Sequence, residues 1–392
     1  MRVLVVHDRY DDAIPNGENA MVQWETAALA AHGVPVSVVE TPASTLGEPL
    51  ARRGLRHLGG VYSASSRRRV RQAIDDFRPD IAHVHNLWPH LTASIYFACR
   101  DARVPIVQTL HNYRMLCIAD FLCRDGRPCT RCIDKTFAWP GVLHRCVGNS
   151  IGMSVVKMTA VGIHNALGTS ARMVDSFIAP SESMRARFIH AGIPGDKLHV
   201  KPSCCPDFGT SDRPREHFCF AGRLSGEKGV DLLLRLWASR NAPELVIAGA
   251  GPLTGDVQRA AAANPAIRYA GMLSREGVSA LMGSAIATLV PSIWEEPSPV
   301  VTMQSFSVGT PVIASASGGG AQTVAHEQTG LVFPTGDLDA LGQCVDRALA
   351  HPDQCRRMGK AARREYDERY SVERSHARLM QIYAGTLDRH AR

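Results

Sequence analysis

Apolar residues in this chain alternate between short unbroken runs and longer stretches in which they recur every three or four positions. An unbroken run reads as a strand buried on both faces, and the spaced pattern as a helix with one apolar side. Val3–Val6, Val34–Val39, 79–86 and 105–109 are such runs, followed by 177–179 and 198–201. Between them Met21–Ala31, Arg67–Phe77, Thr92–Arg103 and Ile151–Leu167 carry the helical spacing, and Ser181-Glu182-Ser183 opens a helix that stops at Gly192. Strand, turn and helix in repeated order predict parallel crossover units, hence an α/β chain with a doubly wound sheet. The alternation then starts afresh, with strands at 217–221, 244–248, 267–270, 285–290 and 311–314. Helices are expected at 230–239, 300–308, 337–349, 352–367 and 372–387.

The polar stretch Cys204–Arg215, with Pro206, Gly209 and Pro214, separates the two series. It reads as a linker between an N-terminal domain, 1–203, and a C-terminal domain, 216–372, with 373–392 as a terminal helix. Within the first domain, residues 114–149 have few periodic positions and turns at Asp125-Gly126 and Trp139-Pro140-Gly141, as an insertion or lid would.

Candidate chemistry concentrates after the run 285–290, in Pro291-Ser-Ile-Trp-Glu-Glu296-Pro-Ser-Pro299. Pro297 and Pro299 fit a first helical turn, so a helix is expected to begin near Glu296. Free amides at Ser298, Val300 and Val301, at the end of a parallel strand, suit a phosphate. Glu296 and Gln304 lie roughly 12 Å apart along such a helix, too far to hold one atom but suited to two ends of an elongated ligand. A second strand-to-helix turn, Gly222-Arg223-Leu-Ser-Gly-Glu-Lys228-Gly229, offers two cations to a phosphate, or two exposed surface bases. Two first-domain strands end in His85 and His111, at the edge where open α/β sheets bind ligands, although structural histidines are the competing reading. The first loop, Pro15-Asn16-Gly17-Glu18, lacks the glycine pattern of a dinucleotide site.

At these residues the chain resembles the retaining glycosyltransferases of family 4 (group 1), which have the GT-B fold. The resemblance rests on Glu296-Pro-Ser-Pro followed by Gln304-Ser, on the Gly222–Asp231 pattern, and on Gly249-Ala-Gly251-Pro252-Leu253. His83-Val-His85-Asn and Thr109-Leu-His111-Asn-Tyr-Arg look familial in the first half. It implies two Rossmann-like domains facing across a cleft, with the last helix crossing back to the first. By resemblance Glu296 contacts the donor sugar, position 304 the ribose, and Arg223 and Lys228 the diphosphate. His111 lies near the donor sugar and β-phosphate, and Gly17 faces acceptor and donor phosphates. Gly222, the Gly251-Pro252-Leu253 turn and the amides at Ser298, Val300 and Val301 complete the donor site. Gln304 and Gln322 stand where the family favours glutamate, and Pro299 replaces a glycine and removes one amide. The implied activity is metal-independent transfer of a sugar from a nucleotide diphosphate, such as UDP or GDP, to a hydroxyl acceptor, with retention. His111, Glu296, Arg223 and Lys228 would act in catalysis. The two glutamines also motivate a catalytically weak nucleotide-sugar-binding subunit, and a GT-B sugar-nucleotide epimerase is a third reading.

The 392 residues carry a net charge of +7 and no uninterrupted apolar run of about 20 that would span a membrane. The apolar start, Met1–His7, is too brief for a signal peptide, so a cytoplasmic protein is expected. Part of the basic excess is local, at Arg52, Arg53, Arg56, Arg67, Arg68, Arg69 and Arg71. These arginines read as a solvated helix face or as an attraction to an anionic membrane or acidic acceptor. Nucleic acid is not expected, because no aromatic residues interleave with them. Of 11 cysteines, five cluster at 117, 123, 129, 132 and 146, and the spacing of Cys129 and Cys132 suits either a structural zinc or a pair of reduced thiols.

Overall fold

Val3–His7 (β1) is buried at every position, as a parallel strand with helices on both faces must be. The computed structural model describes residues 1–10, 16–41, 60–88, 90–211, 215–240 and 243–391. After β1 come Val36–Glu40 (β2), Ile81–Val84 (β3) and Ile106–Thr109 (β4). A small hairpin, Cys123–Arg124 (β5) with Arg127–Pro128 (β6), precedes Ser176–Ala179 (β7) and Leu198–Val200 (β8). The first sheet runs β2-β1-β3-β4-β7-β8, and each pairing in it is parallel. The second half supplies His217–Ala221 (β9), Glu244–Ala248 (β10), Ile267–Gly271 (β11), Ala285–Val290 (β12), Val312–Ser315 (β13) and Gly330–Phe333 (β14). These form a second parallel sheet, β11-β10-β9-β12-β13-β14. The direction of winding reverses beside β1 in one sheet and beside β9 in the other. Loops leaving the carboxyl ends at such a switch point diverge and open a crevice.

The helix expected near Glu296 begins instead at Val300 and ends at Ser307. A proline disfavours helical backbone in the residue before it, so Pro297 and Pro299 hold Glu296 and Ser298 out of the helix. Pro299 itself is extended, with ψ 110°, and becomes the residue before the first turn.

The last helix, Val372–His390, belongs to the first sheet by packing. Leu379, Ile382 and Tyr383 share a core with Val3, Val5, Ile81, Val107 and Ile178. The Tyr383 hydroxyl lies 2.7 Å from His83 Nδ1, and Thr386 Oγ1 lies 2.7 Å from Ser176 Oγ. The chain leaves the first sheet at Cys204 and Cys205, both buried, and Cys205 forms a bridge with Ser371, where the chain returns. Residues 212–214 of the expected linker lie outside the described residues.

Three surface expectations meet the structure here. Arg52, Arg53 and Arg56 lie outside the described residues. On the helix Ala64–Phe77, Arg67 pairs with Asp101, Arg71 with Asp75 at 3.0 Å, and Arg69 donates to Glu40 O, so much of this basic face is already engaged. Among the described residues, no three of the clustered thiols gather closely enough to hold an ion, and burial pushes the Cys132 and Cys123 thiols up to about 11. No described helix is long and apolar enough to cross a membrane.

Candidate active site

The Lys228 turn is pressed against the end of β12. Gly229 has φ 72°, and a Cβ there would stand 2.0 Å from Pro291 O, so glycine alone lets the loop close. Lys228 Nζ is thereby brought 2.6 Å from Glu296 Oε1, which also accepts the Ser292 hydroxyl at 2.6 Å. Glu296 is 3% exposed. From the other side Gly319 donates its N–H to Glu296 O, and a Cβ on it would meet Pro297 O at 2.0 Å. The Glu296 segment is thus gripped between two glycine turns, with its carboxylate neutralised by Lys228.

Arg223 pairs with Glu227 at 2.8 Å and stacks 5.1 Å over the Phe121 ring of the first domain. The helix Val300–Ser307 has no side-chain cap, so the Val300 and Val301 amides at its first turn lack internal acceptors. These groups, with Gly222, Ser298 and Gln304, line one cleft of about 450 Å³ between the carboxyl edges of the two sheets. Gly17 and His111 face them from the first domain. Gly251, Pro252 and Leu253 do not line the cleft. They lie behind the Arg223 loop, where Leu253 N donates to Leu224 O at 2.9 Å and Leu224 N to Ala250 O at 3.0 Å. Their placement is that of a brace.

Gln304 is 8% exposed, and its Nε2 donates to Arg275 O at 3.0 Å and to Ser279 Oγ at 2.9 Å. Its amide nitrogen is therefore committed to protein acceptors, which leaves Oε1 to meet a ligand. Gln322 is committed too: its Oε1 accepts Ser183 N at 3.1 Å, at the start of a first-domain helix.

The strand-end histidines form a chain. His111 Nε2 lies 3.0 Å from His85 Nδ1, and His85 Nε2 faces Glu25 Oε2 at 3.8 Å. Glu25 is paired with Lys201 and can only accept. At 3.8 Å the His85–Glu25 approach is no hydrogen bond, and Glu25 Oε2 has no other partner among the described residues. The carboxylate's charge nevertheless favours the proton on His85 Nε2, the tautomer in which His85 Nδ1 accepts from His111 Nε2–H and the His111 Nδ1 lone pair is left over. Burial holds both imidazoles well below the usual histidine range, hence neutral. Glu25, His83 and His85 bring ligand atoms within 4.8 Å of one another, but His83 is already bonded to Thr109 Oγ1 and the Tyr383 hydroxyl, each at 2.7 Å. The one Asp-x-Asp sequence, Asp337-Leu338-Asp339, lies outside the cleft, where Asp337 caps a helix by accepting Ala340 N.

Three further residues belong to the cleft: Trp294 and Arg275, which carry no expectation from the sequence, and Glu18, whose pairing with Gly17 looks familial but carries no assigned role. Trp294 Nε1 is buried at the cleft without an acceptor, under Lys228 at 5.0 Å from the ring. Arg275 stacks 5.1 Å over Trp24 and donates to Gln23 Oε1 at 2.8 Å, bridging the two domains at the cleft edge. Glu18 is pushed up to about 8 by burial, against the pull of Arg114, so its carboxyl is protonated at neutral pH. Only an indole beside paired glutamates, a base after a capping serine, and an acid after the first-loop glycine marked them in the sequence.

A second, more apolar cavity of about 100 Å³ opens beside the cleft, between Trp88, Tyr96 and Leu110 on one side and Ala160 and Val161 on the other. Both cavities are lined by Glu18, His111 and Asn112.

Two family descriptions match this chain: "Glycosyl transferase 4-like domain" over residues 16–204 and "Glycosyl transferases group 1" over residues 208–365. The chain belongs to the group 1 glycosyltransferases. A GDP-mannose-dependent alpha-(1-6)-phosphatidylinositol monomannoside mannosyltransferase of Mycolicibacterium smegmatis is 27% identical to this family member over 266 residues, covering 61% of this chain and 68% of the relative. A glycosyltransferase of Methanocaldococcus jannaschii is 28% identical over 171 residues, which is 42% of this chain but 43% of that protein. The chain thus spans about half to two thirds of these relatives. HepE of Anabaena in complex with UDP superposes with a TM-score of 0.70 at 16% identity, covering 98% of this chain and 100% of that one. The fold of this family member is GT-B.

Proposed function

We propose that the protein is a retaining glycosyltransferase that moves a hexosyl group from a uridine or guanosine diphosphate sugar to a hydroxyl acceptor, without a divalent ion. The observation that carries this reading is that a cation-lined cleft and an apolar cavity meet at Glu18, His111 and Asn112. A diphosphate against Arg223, Lys228 and the Val300 and Val301 amides leaves the sugar between Glu296 and His111, at the mouth of the second cavity. The His111 Nδ1 lone pair then accepts from a sugar hydroxyl, and the Trp294 indole donates. An acceptor with an apolar body fits the smaller cavity.

In the reaction, the bond from C1 to the diphosphate oxygen breaks with its electron pair going to phosphate. The acceptor oxygen bonds to C1 on the same face, and its proton passes to the departing phosphate oxygen. Retention rests on the resemblance to the family. Arg223 and Lys228 stabilise the charge that develops, the work a divalent ion would otherwise do. Replacing Lys228 with Ala is expected to lower transfer by roughly 10²-fold, measured as release of nucleoside diphosphate in the presence of acceptor. Near-normal turnover in that variant would remove Lys228 from the mechanism. A subunit that binds donor without transferring it is separated by the same assay, and the bond from Gln322 to Ser183 gives that glutamine a structural reason of its own.

A further inference from the structure

The first-domain insertion and the helix after it expose an unusual amount of apolar surface. Trp139 is 53% exposed and Leu143 68%, both on the short helix Trp139–Leu143. On the neighbouring helix Ile151–Ala166, Ile151 and Val155 are exposed one turn apart, Thr159 and Ile163 continue the row half-buried, and Leu167 just past the helix end is exposed again. Ile151 and Leu167 are each more than half exposed. The two helices form one surface, because Cys146, Val147 and Met158 pack in one cluster and Val147 N donates to Ser154 Oγ at 3.1 Å. Phe137 lies on the longer helix too: a Cβ on Gly162 would touch its ring at 2.2 Å.

The charge pattern on this surface is one-sided. From residue 135 to residue 174, 40 positions bracketed by Asp134 and Asp175, there is not one Asp or Glu, in a chain with 37 of them. Lys135 and Arg145 lie in that stretch and are exposed, as is Arg131 just before it, 3.4 Å from the His144 ring. Aromatic and aliphatic side chains with basic flanks, and with the nearby Asp134 carboxylate set 3.1 Å from His190, match the boundary between acyl chains and anionic headgroups. A water-facing helix of a soluble domain has no reason to exclude acids and display isoleucine and leucine instead.

We propose that this face, built from Trp139, Leu143, Ile151 and Leu167 with Arg131, Lys135 and Arg145 beside them, docks the protein on an anionic lipid surface. The docking site is thus the insertion and its following helix, not the arginine-rich helix Ala64–Phe77, where Arg67 and Arg71 are tied to carboxylates and Arg69 to a backbone carbonyl. The inner side of the same longer helix presents Lys157, Ala160, Val161 and His164 to the smaller cavity. Docking here therefore sets that cavity next to the membrane. The proposal does not depend on the transfer reaction, because binding to vesicles is read without donor or acceptor.

The test is co-sedimentation of the full chain with vesicles of phosphatidylglycerol and phosphatidylcholine, against vesicles of phosphatidylcholine alone. The expected result is binding to the anionic vesicles that weakens with salt. It should fall by about tenfold or more in Leu143→Glu and Ile151→Glu, exposed positions that leave the core untouched, and stay unchanged in Arg68→Glu. Circular dichroism and the unfolding midpoint of each variant check that it is folded. Absence of vesicle binding, or equal binding by the folded Leu143→Glu and Ile151→Glu variants, overturns the proposal. So does a dimer in light scattering that these two substitutions dissolve, which would make the face a contact between copies of this chain.

Discussion

Restoring the family's glutamate at position 304 is expected to harm this protein. Gln304 Nε2 donates to Arg275 O at 3.0 Å and to Ser279 Oγ at 2.9 Å, while Ser279 spends its own proton on Arg275 O at 2.9 Å. Both partners therefore present lone pairs to position 304. A carboxylate of the same shape loses two hydrogen bonds and sets negative oxygen against a carbonyl at a site only 8% exposed. Leaving a buried polar group without its partner costs about 1–3 kcal/mol, and more for a charged one. In a chain with domains of this size each kcal/mol lowers the midpoint by about 2–4 °C. Gln304→Glu should thus melt several degrees below the parent protein by scanning calorimetry, and titration calorimetry should show no tighter binding of nucleoside diphosphate. Equal or higher stability, or a clear gain in nucleotide affinity, would refute this reasoning and return position 304 to the role its relatives' pattern implies.

Gly319→Ala places a methyl group in the space of Pro297 O, so it should displace the Glu296 segment and lower transfer by at least tenfold, with wild-type turnover the contrary result. Burial holds His7, His83, His85 and His111 below their ordinary range, His83 at about 4. The unfolded chain then binds more protons below about pH 6.5, and stability is lost as pH falls from there toward about 4; a midpoint independent of pH in that window would count against the buried neutral cluster. Glu18 acts in the opposite sense, staying protonated in the fold up to about 8 among Arg114, Asp120, Asp8 and Tyr10. The midpoint advantage of Glu18→Gln over the parent should therefore grow as pH rises from about 5 to 8, and a flat difference would show that the carboxyl is not buried as described. His85→Phe keeps the packing but removes the acceptor that orients His111, so transfer should fall by about tenfold with nucleoside diphosphate affinity unchanged; unaltered turnover would separate His85 from the site.

The strands of the second half were legible to the residue at 217–221, 244–248 and 285–290 because a parallel strand covered on both faces must be apolar without interruption. The apolar spacing placed the helix after β12 at 300–308, close to its observed span, but the prolines set its start four residues too early. Proline is compatible with a first turn and also bars the residue before it from one, and only the second effect operated here. Lys228, Arg223 and the 298–301 segment stood out from local turns alone, and the fold brings them to one cleft. Gly251-Pro252-Leu253 looked the same locally, yet packs behind the Arg223 loop rather than in the cleft. What no local pattern carries is pairing across the fold. The His85–His111 contact depends on the register of β3 against β4, and Glu25 meets Lys201 across 176 residues of chain. The apolar face at 137–167 was hidden for a different reason, since an exposed isoleucine and a buried one are the same letter.

The most direct test of a diphosphate-binding transferase cleft is thermal unfolding with UDP, GDP, ADP and CMP, each with and without EDTA. A ligand at 100 times its dissociation constant adds about 2.7 kcal/mol, enough to raise the midpoint by several degrees. One nucleoside diphosphate should produce that shift, EDTA should leave it unchanged, and Lys228→Ala should abolish it. If none of the four moves the midpoint of the parent protein, the cradle of Arg223, Lys228 and the Val300 and Val301 amides does not bind a nucleotide, and the proposed reaction falls with it.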